Sequence, residues 1–329
     1  MRFSQIDNAT GLTYNAHNFP TVSLSMTTPP SVSTSETGRG YALVLLAASL
    51  WATIGVIYNF LGRFGLPPLA MAGLRAALGG LFLFAGLLIL RPAWLRVSRR
   101  ALLLIVLYGV VGIAFFYAAY IQAILAVGVG VAAVLLYTAP AWVAVIAWRF
   151  LGESLTRTHL LALLLTLLGS ALVAQLYQPG VLRLNAVGIL WGLLSGLTYG
   201  LWSVFNKIGV RHTNPWTLQC YGMLLGAALL FAIQPLAPVW AGATQPGAAV
   251  WLVIMALGPT IGASVAYAAG VRHVPVSVAS IIATLEPVLA ALSAYLVLGE
   301  TMNAGQIAGG LLILVAVWLL RPRAPRRPA

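Results

Sequence analysis

The stretch Leu285-Glu286-Pro287-Val288-Leu289, which runs on through an apolar segment to Gly299-Glu300, decides the fold. An earlier stretch has the same proline and the same ending, since Pro140 leads through an apolar run to Gly152-Glu153. The two stretches lie 147 residues apart, because 287 minus 140 is 147. Other residues share this offset: Asn59 and Asn206, Gly62 and Gly209, Tyr120 and Tyr267. A constant offset over such a length indicates an internal duplication, which determines the architecture.

The composition is that of an integral membrane protein. Of the 329 residues, 61% are hydrophobic and 7% are charged, whereas soluble domains carry about 25% charged residues. The net charge of +13 comes from basic residues in loops between apolar runs, which is typical of topology signals rather than of nucleic-acid binding. A single cysteine, Cys220, excludes a disulfide framework. With no metal spacing among the histidines and no P-loop, we expect no cofactor, no metal and no ATPase partner.

Ten apolar spans follow a polar N-terminal segment. Residues 1–39 are too polar to bury a core, so we expect a disordered cytoplasmic tail. A helix needs about 20 apolar residues to cross a bilayer, and the predicted spans are 40–62, 67–90, 101–125, 128–150, 156–176, 185–208, 214–236, 248–271, 274–298 and 304–321. The first five form one copy, 40–176, and the last five form the other, 185–321. A basic cytoplasmic tail, 322–329, ends the chain.

The loops predict the orientation. With the N-terminus inside, cytoplasmic segments hold fifteen Lys and Arg residues and outer segments hold two, so both termini are predicted to be cytoplasmic. Because each copy has an odd number of spans, the second copy starts from the opposite side of the membrane. The fold class is therefore all-α integral membrane, with ten transmembrane helices in two inverted five-helix repeats. Such repeats are characteristic of secondary transporters, whose substrate site lies near the midplane.

These residues carry a resemblance to a known family. Two tandem copies, each with a proline-containing fourth span and Gly-Glu before a fifth, resemble the EamA-type members of the drug/metabolite transporter superfamily. Glu286-Pro287 fits the second-copy pattern, whereas Ala139 stands at the equivalent position of the first copy. Within the family the chain most resembles the YddG-type bacterial exporters of aromatic amino acids. The resemblance implies a multi-pass protein of the bacterial inner membrane with a central cavity.

Two charged residues lie inside apolar spans. A carboxylate such as Glu286 is costly in the bilayer and normally faces a cavity or a partner. It is a candidate site for a substrate amine or a proton, and the alternative is a protonated or ion-paired structural glutamate. Arg75 is its candidate partner, and the alternative for Arg75 is that it snorkels to the outer interface.

Polar, aromatic and proline residues complete the candidate site. Aromatic and hydroxyl side chains deep in the bilayer need hydrogen-bond partners, which a wet cavity offers, although helix packing is the alternative. The predicted cavity residues, besides Arg75 and Glu286, are Trp51, Tyr117, Tyr120, Tyr137, Tyr199, Trp202, Tyr267 and Thr284. The predicted gating and hinge residues are Asn59, Pro140, Asn206 and Pro287. The glycines at 188, 192, 196 and 200 indicate close packing, and Glu153 and Glu300 are expected to cap the next helix or pair at the interface.

The predicted function is a secondary transporter that exports amino acids, aromatic ones favoured, by alternating access. The expected partners are a small-molecule substrate and the lipid bilayer, without nucleic acid, and both a monomer and a dimer remain open. The alternatives are carriage of drugs or sugar phosphates, a membrane-embedded enzyme, and an assembly subunit. An enzyme would need a denser polar constellation than Arg75 and Glu286 provide. We therefore predict no enzymatic activity and no catalytic residues.

Overall fold

The computed structural model describes residues 34–179 and 185–320, and every regular element in those ranges is helical. Ten apolar helices follow one another along the chain: Thr34–Trp51 continued by Ile54–Gly62 (α1), Pro68–Leu90 (α2), Arg99–Val127 (α3), Val129–Phe150 (α4), Arg157–Val173 (α5), Ala186–His212 (α6), Pro215–Ala232 (α7), Ala248–Gly270 (α8), Val276–Leu298 (α9) and Ala304–Leu319 (α10). Short helices Pro92–Leu95 and Leu236–Ala243 lie in the α2–α3 and α7–α8 connections.

Eight of these described helices are long and apolar enough to cross a membrane, and the chain is a multi-pass membrane protein. The other two, α5 and α10, are also apolar but have 17 and 16 residues, fewer than the about 20 that match the hydrocarbon thickness. The predicted spans 156–176 and 304–321 were longer because apolar residues continue beyond the last helical turn of each helix. Whether these two helices cross the bilayer therefore remains a prediction.

Two other boundaries differ from the predicted ones. The first helix begins at Thr34, inside the segment predicted to be disordered, and Glu36 lies in its first turn, where a carboxylate favours the helix dipole. The predicted span 214–236 ends as a helix at Ala232, because Pro235 precedes a separate short helix. Three parts of the chain named above lie outside the described residues: 1–33, the loop arginine at position 183 and the tail 322–329.

The duplication is visible in the backbone as irregularities at equivalent places. A π-helical stretch interrupts α3 at Tyr108–Phe115 and α8 at Ala256–Gly262. A break interrupts α4 at residues 137–138 and α9 at residues 284–285. At each break a proline, Pro140 or Pro287, occupies the second position of the helical segment that follows. Proline removes a backbone donor and a π turn shifts the hydrogen-bond register, so both copies expose backbone polar groups at matching positions.

The glycine stripe of α6 packs against the α3–α4 hairpin. A Cβ atom added at Gly192 would lie 2.4 Å from the side chain of Leu135, and one added at Gly196 would lie 2.5 Å from Thr138 Oγ1. Small residues let helix backbones approach closely in a membrane. The stripe therefore brings α6 directly against the break in α4, which is the position of Tyr137.

Candidate functional site

Seven polar side chains from six helices surround one region, which we call the chamber: Tyr58 of α1, Arg75 of α2, Tyr117 and Tyr120 of α3, Tyr137 of α4, Tyr199 of α6 and Glu286 of α9. Glu286 acts electrostatically on Tyr120, Tyr137 and Tyr199, and Arg75 acts on Glu286, Tyr58 and Tyr199. Six of these seven residues were predicted from the sequence, and the structure brings them together.

Arg75 is held in place from three sides. It is buried, with 6% of its surface exposed, so it does not snorkel to the interface. Its Nε donates a hydrogen bond of 3.1 Å to Thr260 Oγ1, and Tyr58 is its hydrogen-bonding partner on α1. Its guanidinium carbon lies 5.5 Å from the ring centroid of Tyr117, within the range of a cation–π contact. These contacts orient the guanidinium, which presents donors in a rigid fork suited to carboxylates.

Glu286 shares the chamber with Arg75 without a direct ion pair to it. Among the described residues no ion pair within 4.0 Å joins the two groups, although Arg75 acts electrostatically on Glu286. The carboxylate occupies the first turn of the second half of α9, where the helix dipole favours a negative charge. The Glu286 side chain is half-buried. That accessibility is expected of a residue that faces a cavity.

A small cavity lies beside the chamber, between the breaks of α4 and α9. Its walls include Tyr137, Pro140, Tyr199, Ser280 and Thr284, and it has room for roughly one water molecule. The hydroxyl of Thr284 donates to the Ile281 carbonyl of its own helix at 2.6 Å. Thr284 therefore satisfies a backbone carbonyl at the helix break and lies in the wall of this cavity.

The other predicted aromatic residues, Trp51, Trp202 and Tyr267, form an aromatic cluster with Tyr108, which was not predicted. The ring of Trp202 lies 5.5 Å from Trp51 and 5.0 Å from Tyr267, between centroids, and 5.8 Å from chamber residue Tyr199. All four cluster residues are buried. The cluster therefore continues the chamber as a group of packed, buried aromatic rings.

Asn206 and Asn59 do not have equivalent surroundings. Asn206 is fully buried, donates 2.9 Å to the Trp202 carbonyl and accepts 2.8 Å from Gln219 Nε2. Gln219 in turn accepts from Tyr108, which accepts from Trp202 Nε1. This closed ring of hydrogen bonds fixes the aromatic cluster, which is the fold-maintaining alternative. Asn59 is exposed and accepts from Arg63 at 3.5 Å, so the described structure gives the pair no shared gating geometry.

Sequence reasoning missed Tyr58 and Thr260, which hold Arg75. Thr260 follows Pro259 inside an apolar span, and that proline was a signal in the sequence that could have pointed to Thr260. Tyr58 directly precedes the candidate residue Asn59. The repeat could not identify either residue, because the 147-residue offset pairs Tyr58 with Phe205 and Thr260 with Ile113. Their role depends on which helix faces meet Arg75, and hydropathy does not contain that information.

Comparisons with known proteins agree with the transport architecture. The model of the EamA-like transporter family matches the chain twice, over residues 38–175 and 186–321. An uncharacterized transporter of Archaeoglobus fulgidus is 32% identical over 281 residues, which cover 84% of this chain and 94% of that protein. The pseudopaline exporter CntI of Pseudomonas aeruginosa is 27% identical over 280 residues, with coverage of 84% and 94%. One crystal structure superposes with a TM-score of 0.72 at 19% identity, covering 87% of this chain and 96% of that chain, which is a likeness of fold.

Proposed function

The chain belongs to the EamA-like transporter family, and we propose that it exports amino acids, aromatic ones preferred, and related small metabolites by alternating access. Family membership makes it a membrane transporter, and the proposal adds the class of substrate that it carries. The observation that carries the proposal is that Arg75 and Glu286 share one chamber without a direct ion pair. Each charge is therefore free to meet an opposite charge on a substrate. A small zwitterion supplies both groups, with its carboxylate for Arg75 and its ammonium for Glu286.

The chamber walls favour an apolar or aromatic substrate side chain. The ring of Tyr199 stacks on Phe116 at 5.3 Å and on Trp202 at 5.8 Å, between centroids, with interplanar angles of 21° and 20°. An aromatic substrate ring can join such a stack, because offset-stacked rings attract each other beyond their buried area. The stacked rings therefore favour an aromatic side chain on the substrate, in addition to the two charged groups of a zwitterion.

Phosphorylated substrates fit the chamber less well. A phosphate dianion favours two or more basic residues at its site, and among the described residues Arg75 is the basic group of the chamber. Lys207 lies at the end of α6 and donates to the carbonyls of Val271 and Val274, the latter at 2.9 Å. Its ammonium group is therefore already engaged. Sugar phosphates accordingly rank below zwitterions.

The two charges do not belong to the duplicated scaffold. The 147-residue offset pairs Arg75 with Gly222 and Glu286 with Ala139. Each of these two charges therefore occurs once in the duplicated chain. Because an unpartnered charge in a membrane span is costly, their retention is better explained by recognition than by folding.

The topology forms part of the proposal. We place all ten apolar helices across a bacterial inner membrane, in two inverted repeats with both termini cytoplasmic, on the strength of the basic loops. The end of α4 meets the start of α9, since Glu153 accepts a hydrogen bond of 2.8 Å from the Val276 amide. This contact between the end of one helix and the start of its repeat equivalent supports the inverted arrangement. The relative named as an exporter supports the outward direction of transport.

The test is counterflow of labelled phenylalanine in liposomes that contain only this protein. Competition should be strongest with unlabelled phenylalanine and tryptophan. It should be weaker with phenethylamine, which lacks the carboxylate, and with 3-phenylpropionate, which lacks the ammonium. In Glu286→Gln the preference for phenylalanine over 3-phenylpropionate should fall, while in Arg75→Gln the preference over phenethylamine should fall. Competition by sugar phosphates with none by aromatic amino acids would refute the assignment.

A further inference from the structure

Glu153 joins the two copies at one end of the bundle, which we call the Glu153 end. Its carboxylate accepts hydrogen bonds from the backbone amides of Val276 and Ser277 at 2.8 and 3.1 Å, and from the Ser277 hydroxyl at 2.5 Å. These amides begin α9, where helix donors lack partners within the helix and the dipole favours an anion. Glu153 was expected to cap the next helix or to pair at the interface, and Thr156 caps the next helix, α5. The contact therefore links α4 to α9 and is not local.

Glu300 is the repeat equivalent of Glu153 at the opposite end, the Glu300 end. The backbone presents both carboxylates in the same way. Gly152 and Gly299 have φ angles of 72° and 71°, and the following amides donate to the carbonyls of Ala147 and Ala294, which are also 147 residues apart. Glu300 is nevertheless exposed, and none of its described neighbours donates to its carboxylate.

The backbone donors that correspond to the start of α9 also have no acceptor among the described residues. Subtracting 147 from Val276 and Ser277 gives Val129 and Gly130, the first residues of α4. Among the described residues no acceptor meets these two amides, and 63% of the surface of Val129 is exposed. One carboxylate is thus bound to its helix start, and its equivalent is separated from an equivalent helix start.

The burial of the half-helices shows the same asymmetry. All eight residues of Val276–Ala283 are buried, whereas three residues of the equivalent Val129–Leu136 are. Five residues of Ala139–Phe150 are buried, whereas none of Glu286–Leu298 is. Val276–Ala283 and Ala139–Phe150 lie at the Glu153 end, and their repeat equivalents lie at the Glu300 end. That end of the bundle is therefore tightly packed, and the Glu300 end is loosely packed.

We propose that Glu153 and Glu300 are alternating clasps, of which one is closed in each of the two transport states. In the state described here Glu153 caps α9 and closes its end. In the opposite state Glu153 releases α9, and Glu300 accepts from the amides of Val129 and Gly130, which closes the other end. This inference rests on the alternating-access mechanism proposed above but not on the identity of the substrate.

The two clasps differ in strength. Ser277 adds a hydroxyl donor to the Glu153 clasp, whereas its equivalent, Gly130, has no side chain to donate. Lys207 also joins α6 to the α8–α9 turn at the Glu153 end, and its equivalent is Phe60. The Glu153 clasp therefore has more partners, and the state in which it is closed should be the resting state.

The test measures the accessibility of two matched cysteine reporters in purified, detergent-solubilised protein, without substrate and in a Cys220→Ala background. Ser280→Cys reports on the Glu153 end, and Ala133→Cys lies at its repeat equivalent. Glu153→Gln should raise the labelling rate of Ser280→Cys about tenfold and lower that of Ala133→Cys, because it weakens charge-assisted hydrogen bonds of the closed clasp. Glu300→Gln should change both rates in the opposite directions and by a smaller factor.

The double variant Glu153→Gln/Glu300→Gln provides the control, since opposing shifts should bring both rates back towards those of the parent. Loosened packing alone would raise both reporter rates in every variant, and that result would overturn the proposal. Unchanged rates in Glu300→Gln would overturn it as well. Failure of amino-acid counterflow would refute the proposed substrate and leave these labelling results unaffected.

Discussion

Substituting Gly196 by alanine tests the contact between α6 and the break in α4. The new Cβ would lie 2.5 Å from Thr138 Oγ1 and 2.7 Å from the Leu135 carbonyl oxygen. Ordinary contacts begin at 3.4 Å, so the helices must separate by 0.7 to 0.9 Å at this point. One of the atoms met is a backbone oxygen, and Thr138 already donates to that oxygen at 2.6 Å. Neither group can therefore rotate away.

The expected cost follows from two opposing terms. Overpacking of a close-packed contact typically costs about 1–3 kcal/mol. Replacing a glycine inside a helix by alanine contributes about 0.8–1 kcal/mol in the stabilising direction. Because the groups that must move here are held by hydrogen bonds, we expect the upper part of the first range. The net loss of unfolding free energy in Gly196→Ala should be about 1–2 kcal/mol.

The matched control is Gly86→Ala in α2. No atom lies within 4 Å of a Cβ added at Gly86, so this variant gains helix propensity without a clash. Equilibrium unfolding in mixed detergent micelles should place Gly86→Ala about 2–3 kcal/mol above Gly196→Ala, because the propensity contribution is common to both variants and the difference is the clash alone. Equal stability of the two variants would show that α6 does not pack on the α4 break as described.

Three further predictions concern the charges, the breaks and the topology. In a double-mutant cycle of Arg75→Met and Glu286→Gln, the coupling free energy measured by unfolding should stay below about 4 kcal/mol, which is the interaction energy of two unit charges 4 Å apart at an effective dielectric constant of 20. A larger coupling free energy would indicate a direct ion pair. Pro287→Ala should slow substrate exchange more than it weakens substrate binding, because the helix loses its break and not its contacts, and Pro140→Ala should do so less strongly; normal exchange rates in well-expressed variants would leave a static kink. A cysteine at position 242 should react with an impermeant thiol reagent in intact cells and one at position 97 should not, whereas the reverse pattern would invert the topology.

The sequence predicts those features that arise from local patterns. Hydropathy and a constant offset locate the helices, and prolines inside apolar runs locate the breaks before Pro140 and Pro287. The helix ends are less predictable, because apolar residues continue past the last turn of α5 while helical hydrogen bonding does not. Residue type and depth also identify Arg75 and Glu286, since charged residues are rare in membrane spans.

The relations between these residues depend on packing between distant parts of the chain. Arg75 contacts Thr260 across 185 residues of sequence, and Glu153 reaches Val276 across 123 residues. The sequence places such residues at a depth in the membrane but does not state which helix faces meet. For that reason it suggested a direct Arg75–Glu286 pair, and it did not reveal that Tyr58 and Thr260 orient the arginine.

Features that occur in both copies of the repeat suit conformational movement, whereas residues that occur once suit substrate recognition. The breaks, the π-helical stretches and the two clasp glutamates occur in both copies, whereas Arg75 and Glu286 occur once. A carrier that exposes its interior to each side in turn needs the same moving parts at both ends, so duplicated residues suit that task. Its substrate, however, binds in one chamber that both states share, and a charge repeated there would meet its own like charge. The unpaired positions that line the chamber of a duplicated transporter are therefore where its substrate specificity should be sought, and in this chain they include Arg75 and Glu286.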